Sequence, residues 1–389
     1  MKQRLTEWRR RFHQFPELSF QEFETGKFVA QVLGECERIK VETGIAGTGV
    51  VGTLGDGEGP TVLLRADMDA LPIQEATGAA YASVHDGVMH ACGHDAHTAI
   101  LLGAAHLLSD SFDGKGTVKF LFQPAEEAPD EQGVTGAPRV IEAGILDGVD
   151  AAVALHVCPW KTVGEVQMHD GLSMASVDLF RAEIIGTGGH GAYPHLGSDP
   201  ISMLGPVLQA INNIVGRKLS PLESAVISVG SIHGGSAANV IPERIVLEGT
   251  MRSYDPATRE MIITELERAF SIVQPLGGHY QLKITRGEPA LDNDTQVNRA
   301  VGAAIREAYP DFSIDHAPFG LGGEDFAHIA KHVPGAMFFL GCALPDGNVR
   351  DLHTPVFDID ERCLPVGAKL LSETAMRFIR SFGGERSGS

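Results

Sequence analysis

Short apolar runs alternate with amphipathic stretches through the first part of the chain, and the two periodicities predict different elements. Leu5, Trp8 and Phe12 recur at helical spacing, which predicts an N-terminal helix; a second helix is expected near Phe20 to Leu33. β-Branched segments from Val50 to Leu54 and from Thr61 to Ala66 read as strands. A further helix is expected from Asp95 through Leu107, with Asp95 as its N-cap. The runs Thr117 to Phe122 and Ala151 to Leu155 are short, apolar and nearly free of charge, as strands buried on both faces of a parallel sheet are.

From about Ser176 to about Arg286 the pattern changes. It reads strand (Val177 to Ile185), helix (Pro200 to Val215), two strands (Ala225 to Ile232, Arg244 to Arg252), helix (Pro256 to Ile272) and strand (Tyr280 to Thr285). This is the β-α-β-β-α-β order of a ferredoxin-like unit. Afterwards α/β character resumes with a helix at Val297 to Ala308, a strand at Ala336 to Leu340 and a helix from Asp360 to Ile379, ahead of a Gly- and Ser-containing tail expected to fray. The expected fold is therefore α/β, with a mixed, largely parallel sheet flanked by helices and an inserted ferredoxin-like α+β domain. A discontinuous catalytic domain would span 1–175 and 287–389, and the insert 176–286.

A length of 389 residues favours two domains, and 43% hydrophobic with 21% charged residues is the composition of a chain that folds. The formal net charge of -19 repels polyphosphate, so no nucleic-acid partner is expected. The one dense basic run, Arg9-Arg10-Arg11, lies on the amphipathic first helix and reads as a solvated face. No apolar h-region opens the chain and no stretch is long enough to span a bilayer, so neither secretion nor a membrane partner is expected. Five scattered cysteines without scaffold or CxxC spacing suit a reducing cytoplasm.

The chemistry concentrates in four places: His90-Ala-Cys-Gly-His-Asp-Ala-His97, Glu126-Glu127 after an apolar strand, His156 after another, and His353 in Leu-His-Thr-Pro. Thiolate, imidazole and carboxylate are the ligands of zinc-like cations, and a spare carboxylate beside a ligand is what metal-assisted hydrolysis requires. Cys92 and His94 converge if Gly93 turns the chain between them. Adjacent glutamates on extended chain diverge, so one would bind metal while the other faces the attacking water; spacing alone does not say which. Taken singly, each residue has a plain structural reading. Together, Cys92, His94, one glutamate, His156 and His353 meet the demand of a two-metal site for about five ligands. Asp67 and Asp69 follow one strand, Glu126 and Glu127 another and His156 a third, where open α/β sheets gather ligands. His90, His97 and His106 are taken as packing residues or supports of the ligands. Gly322 and Gly323 are expected to open a helix at Glu324-Asp325-Phe326 and offer N–H groups to an anion.

Over nearly its whole length the chain resembles the metal-dependent aminoacylase and carboxypeptidase superfamily, in its amidohydrolase branch of hippurate hydrolases and auxin-conjugate hydrolases. The likeness rests on Phe12-His-Gln-Phe-Pro-Glu-Leu18, Arg65-Ala-Asp-Met-Asp-Ala-Leu-Pro72, Met89-His-Ala-Cys-Gly-His-Asp-Ala-His97, Gln123-Pro-Ala-Glu-Glu127, Gly188-Gly-His-Gly-Ala-Tyr-Pro-His195 and Asn239-Val-Ile-Pro242. It implies a zinc-exopeptidase-like catalytic domain. It also implies that Cys92, His94, Glu127, His156 and His353 hold two divalent ions (zinc, manganese, nickel or cobalt), that Glu126 is the general base, and that Asp69 orients a ligand. His190 would come from a dimer partner to stabilise the oxyanion, with Asn239 and Arg252 on the substrate carboxylate; the insert would serve as lid and dimerisation surface of a homodimer or larger oligomer. The expected reaction is hydrolysis of a small N-acyl amino acid. The alternatives are a carboxypeptidase or dipeptidase of the same superfamily, or a non-catalytic protein stabilised by metal.

Overall fold

The computed structural model describes residues 1–55, 57–113 and 115–385; the end of the expected frayed tail, 386–389, lies outside the described residues. The chain forms two compact units: Met1–Gly171 with Asp292–Pro318 and Asp325–Ser389, and Leu172–Leu291 with Phe319–Glu324. The short segment Phe319–Glu324, expected in the first domain, groups with the second unit. Backbone hydrogen bonds from Phe319 N–H to Ser173 O (2.9 Å) and from Ala175 N–H to Gly322 O (3.0 Å) hold it there, pairings that no local pattern announces.

The first unit is built on an eight-stranded sheet in the order Ile39–Ile45, Gly49–Gly55, Thr117–Gln123, Thr61–Asp67, Ala151–Thr162, Gly335–Ala343, Glu165–Gln167, Ser313–Asp315. The four central strands are parallel, and antiparallel neighbours flank them on each side. Alternate residues Val62, Leu64 and Ala66, beside Val118, Phe120 and Phe122, share one sheet face and join the core of helices His94–Ser111 and Cys363–Glu385. Their neighbours Leu63, Leu121, Ala152 and Met337 are buried too, which is why these strands read as unbroken apolar runs. Burying each leucine contributes about 2 kcal/mol.

Two expectations fail here for the same reason. Arg9 is not part of a solvated face: it is fully buried, with Nε 2.8 Å from Asp95 Oδ2, Nη2 3.1 Å from Asp358 Oδ1 and Nη1 3.4 Å from Glu361 Oε1. Arg10 pairs with Glu361 through both its Nε and Nη2, while Arg11 lies over the Phe28 ring. Asp95 is not the N-cap but the second residue of the helix: its Oδ1 accepts Ala96 N–H (2.9 Å), while its Oδ2 is taken by Arg9 and by His13 (2.8 Å). The helix instead starts at His94 from Gly93, whose φ of 92° is left-handed; a Cβ there would lie 2.4 Å from Val157 Cγ2. Charged partners distant in sequence decided both outcomes.

In the second unit, strands Ser176–Ile185, Ala225–His233, Arg244–Ser253 and His279–Arg286 form one antiparallel sheet in the order second, third, first, fourth, with helices Pro200–Arg217 and Pro256–Ser271. Phe180, Ala182 and Ile184 are buried and alternate with exposed Leu179 and Arg181, so one face of the sheet is packed. Both helices begin on an aspartate, Asp199 or Asp255, that accepts a backbone N–H, with proline in the first turn.

Candidate functional site

Three parallel strands deliver side chains to one end of the first unit. Asp67 ends its strand, and Gln123 ends the next just before Pro124-Ala-Glu-Glu127. His156 does not follow its strand as expected: the strand continues to Thr162, because Phe339 and its successors pair with His156 onwards. Gly93 and two residues with left-handed backbones, Ala125 (φ 53°) and His353 (φ 59°), turn the remaining donors inward. Such conformations are unfavourable for residues with a Cβ, and persist only where surrounding contacts impose them.

One donor atom each from Cys92, His94 and His156 lie within 4.8 Å of one another; so do donors from Cys92, Glu127 and His353, and from His94, Glu126 and Glu127. The first two groups share Cys92. Its Sγ is 3.5 Å from His156 Nε2, while Glu127 Oε1 lies 3.3 Å from His353 Nε2 and 3.7 Å from His94 Nε2. The outer nitrogens of both buried imidazoles are occupied: His94 Nδ1 meets Asp69 Oδ1 at 3.2 Å, and His156 Nδ1 donates to Val157 O at 2.7 Å. That leaves each Nε2 facing the cluster. Asp69 also accepts from Ser19 Oγ (2.6 Å) and Glu127 N–H (2.9 Å), so one carboxylate steers two neighbouring donors.

The charges are unbalanced. Burial pushes the Cys92 thiol well up, and Glu127, Glu126 and Asp67 push it further. Burial opposes a charged His94, yet Asp67, Asp69 and Glu127 outweigh it and hold its pKa at about 10. His156, buried beside His97, falls well below its ordinary value and stays neutral. Among the described residues, His94 Nε2 and Glu127 Oε1 are buried without a hydrogen bond. Acidic oxygens, a thiol and an unbonded imidazole nitrogen, His94 Nε2, in one cluster fit a divalent cation, which would supply the missing positive charge.

Further residues serve the cluster from behind. His97 Nδ1 donates to Asp67 Oδ1 at 2.6 Å while its Nε2 accepts Val157 N–H, which fixes its tautomer. Arg65 binds Asp67 Oδ2 (2.5 Å), Asp325 Oδ1 (2.7 Å) and Gln123 Oε1 (3.0 Å). Its place after an apolar strand flagged Asp67, but no such signal marked Asp325. His106 stacks on Trp8 at 5.4 Å, and His90 is buried, its charged form disfavoured by burial, beside Asp95 and within the field of His94 and Asp69.

The remaining candidates belong to the second unit. His190 is exposed on a short ladder opposite Val240, one residue beyond Asn239, and its Nδ1 accepts Ala192 N–H, which leaves a proton on Nε2. Arg252 is half-buried, its Nε donates to Thr250 Oγ1, and burial lowers its pKa. The helix expected at Glu324-Asp325-Phe326 does begin there, spanning Phe326–His332 from Asp325, but Gly322 and Gly323 precede its first turn and Asp325 turns into the buried Arg65 network. Close packing requires glycine at 323, where a Cβ would lie 2.2 Å from Val177 Cγ2.

Residues 63–377 match peptidase family M20/M25/M40. The chain belongs to that family. It is 44% identical over 379 residues to the N-acetyl-L-cysteine deacetylase of Bacillus subtilis, covering 96% of this chain and 88% of the relative. It is 36% identical over 376 residues to thermostable carboxypeptidase 1 of Saccharolobus solfataricus, covering 95% and 94%. The crystal structure of a dinuclear metal-binding peptidase of this family from Bacillus subtilis superposes with a TM-score of 0.84 at 36% identity, over 97% of this chain and 98% of that one. The M20 chain is thus a metal-dependent, amide-hydrolysing enzyme, and the non-catalytic alternative falls away. Among the described residues no helix is long and apolar enough to cross a membrane.

Proposed function

We propose that this M20 chain hydrolyses N-acyl amino acids to a carboxylic acid and a free amino acid. The observation that carries the reading is the pair of ligand groups sharing Cys92, with Glu126 beside them and two buried donor atoms left without hydrogen bonds. Cys92, His94, Glu127, His156 and His353 would hold two divalent ions; the thiolate favours zinc, nickel or cobalt, and the carboxylates also admit manganese. When bound, such ions polarise the scissile carbonyl and lower the pKa of water.

Within this reading Glu126 takes the proton of the attacking water and returns it to the leaving nitrogen. Asp69 keeps His94 and Glu127 aimed. The Nε2–H of His190, from a second copy of the chain, donates to the developing oxyanion, while Arg252 and Asn239 receive the amino-acid carboxylate. The second unit then acts as lid and dimer surface, with Gly322 and Gly323 lining the substrate side. Five free, buried cysteines suit a cytoplasmic enzyme.

The 44% identical deacetylase favours small acyl groups, and the 36% identical carboxypeptidase favours a peptide substrate as the second reading. Turnover of N-acetyl and N-benzoyl amino acids is to be compared with that of dipeptides, with zinc, nickel, cobalt or manganese added back to chelated protein. Faster release of acetate or benzoate is expected; faster cleavage of dipeptides would install the second reading.

A further inference from the structure

Glu22 lies outside every ligand group, in a segment whose pattern suggested only the start of a helix, yet its side chain is fully buried. Its Oε1 accepts Phe20 N–H (3.0 Å) and Ala125 N–H (2.8 Å), and its Oε2 accepts the Thr48 hydroxyl (2.6 Å). A buried carboxylate with three donors is an anchor, and one of those donors is the residue immediately before Glu126.

Ala125 is held at both ends of its peptide framework. Its carbonyl accepts Gly136 N–H at 2.7 Å, and Gly136 approaches so closely that a Cβ there would lie 1.7 Å from Pro124 O. On the far side of Glu126, the N–H of Glu127 is bound by Asp69. The left-handed backbone at Ala125 is therefore sustained by Glu22 and Gly136, and it sets the direction in which Glu126 leaves the chain.

We infer that Glu22 is a positioning residue for the reaction: by holding Ala125 N–H it aims the Glu126 carboxylate. This rests on the proposed role of Glu126 as general base. Glu22 touches neither substrate nor reacting atoms; it acts through the turn. Because Phe20 and Ala125 share Oε1, a glutamine with its amide oxygen in that place retains both bonds, and the Thr48 hydroxyl can turn to accept from its NH2.

The test is a set of four variants of the full chain, metal-loaded, assayed on N-acetyl-L-cysteine or the best substrate of the screen: E22A, E22Q, E126Q and E22A/E126Q. E22A is expected to lower kcat by about 10²-fold, the scale of a small misplacement of a reacting group, with KM and bound metal unchanged. E22Q should recover most of that loss. The double variant should be no slower than E126Q, since misaiming an absent base has no further effect. A native kcat in E22A, equal loss in E22Q and E22A, loss confined to KM or metal content, or additive losses in the double variant would each overturn the inference. If E22A does not fold, T48V decides: a lower kcat at unchanged KM supports the inference and a native kcat refutes it. A near-native rate in E126Q would instead remove the base assignment itself, so the two failures are distinct.

Discussion

Two charge clusters in the first unit both gather carboxylates and histidines and end in opposite electrostatic states. Around Arg9, three carboxylates and His13 close on a guanidinium, and Glu75 closes on the other side of the imidazole at 3.3 Å. Around the Cys92 thiol crowd the carboxylates of Glu127, Glu126 and Asp67, and a guanidinium nearby, Arg65, is committed to Asp67 and Asp325. The first cluster is a closed staple that ties the N-terminal helix to the helix carrying His94. The second retains bare donor atoms, and buried charge is tolerated only when compensated. Composition cannot separate the two. What separates them is whether the cations that balance the site are side chains.

The sharpest way to break this comparison is Glu126→Gln. It should reduce turnover by about two to four orders of magnitude while fold and bound metal persist; steady-state kinetics beside elemental analysis checks it, and a near-native rate would dissolve the functional half of the contrast. Next in size, Arg9→Ala should lower unfolding free energy by about 3–5 kcal/mol, since it strands Asp95 in the interior. Urea titration reads the loss, and metal content per folded molecule should stay constant. If R9A instead empties the metal site, the two clusters are one.

A smaller effect is expected from Asp69→Asn, which weakens the partner of His94 and Glu127 and should reduce metal affinity about 10- to 100-fold. Competition with a chromogenic chelator measures it, and unchanged affinity would deny Asp69 its orienting role. The smallest effect tests the staple alone. Burial would raise the Glu75 pKa, but His13, Ser83 N–H and Thr77 hold it down at about 2, against 4.5 unperturbed. The unfolded chain therefore binds more protons between those values, so the Glu75 contribution is complete above about 4.5 and lost as pH falls towards about 2. Urea midpoints of wild type and Glu75→Gln should differ near neutrality and converge on acidification; a constant gap would mean that the carboxylate charge is irrelevant.

Much of this is legible in the sequence. The inserted unit showed its strand and helix order because its sheet has one packed face and its helices begin on Asp-Pro, both local signals. Asp67 and Glu126-Glu127 stood out because strand ends are where an apolar run stops. Other features left no trace: Arg9 looked like a neighbour of Arg10 and Arg11, His156 like the residue after a strand, and Phe319–Glu324 like part of the first domain. Each was decided by partners far away along the chain. Glu22 belongs with them, since its link to Ala125 spans a separation of 103 residues.

Periodicity, strand-end carboxylates and the motif around Cys92 are properties of neighbouring residues, so the chain by itself determined its α/β class, the inserted unit and the chemical types of the candidate ligands. Only the tertiary structure decided which charges neutralise each other and which stay bare, which imidazole nitrogens face the cluster, and what holds the turn before Glu126. Those outcomes depend on distances of about 3 Å between residues separated by tens to hundreds of positions, because hydrogen bonds and ion pairs weaken steeply with distance and angle.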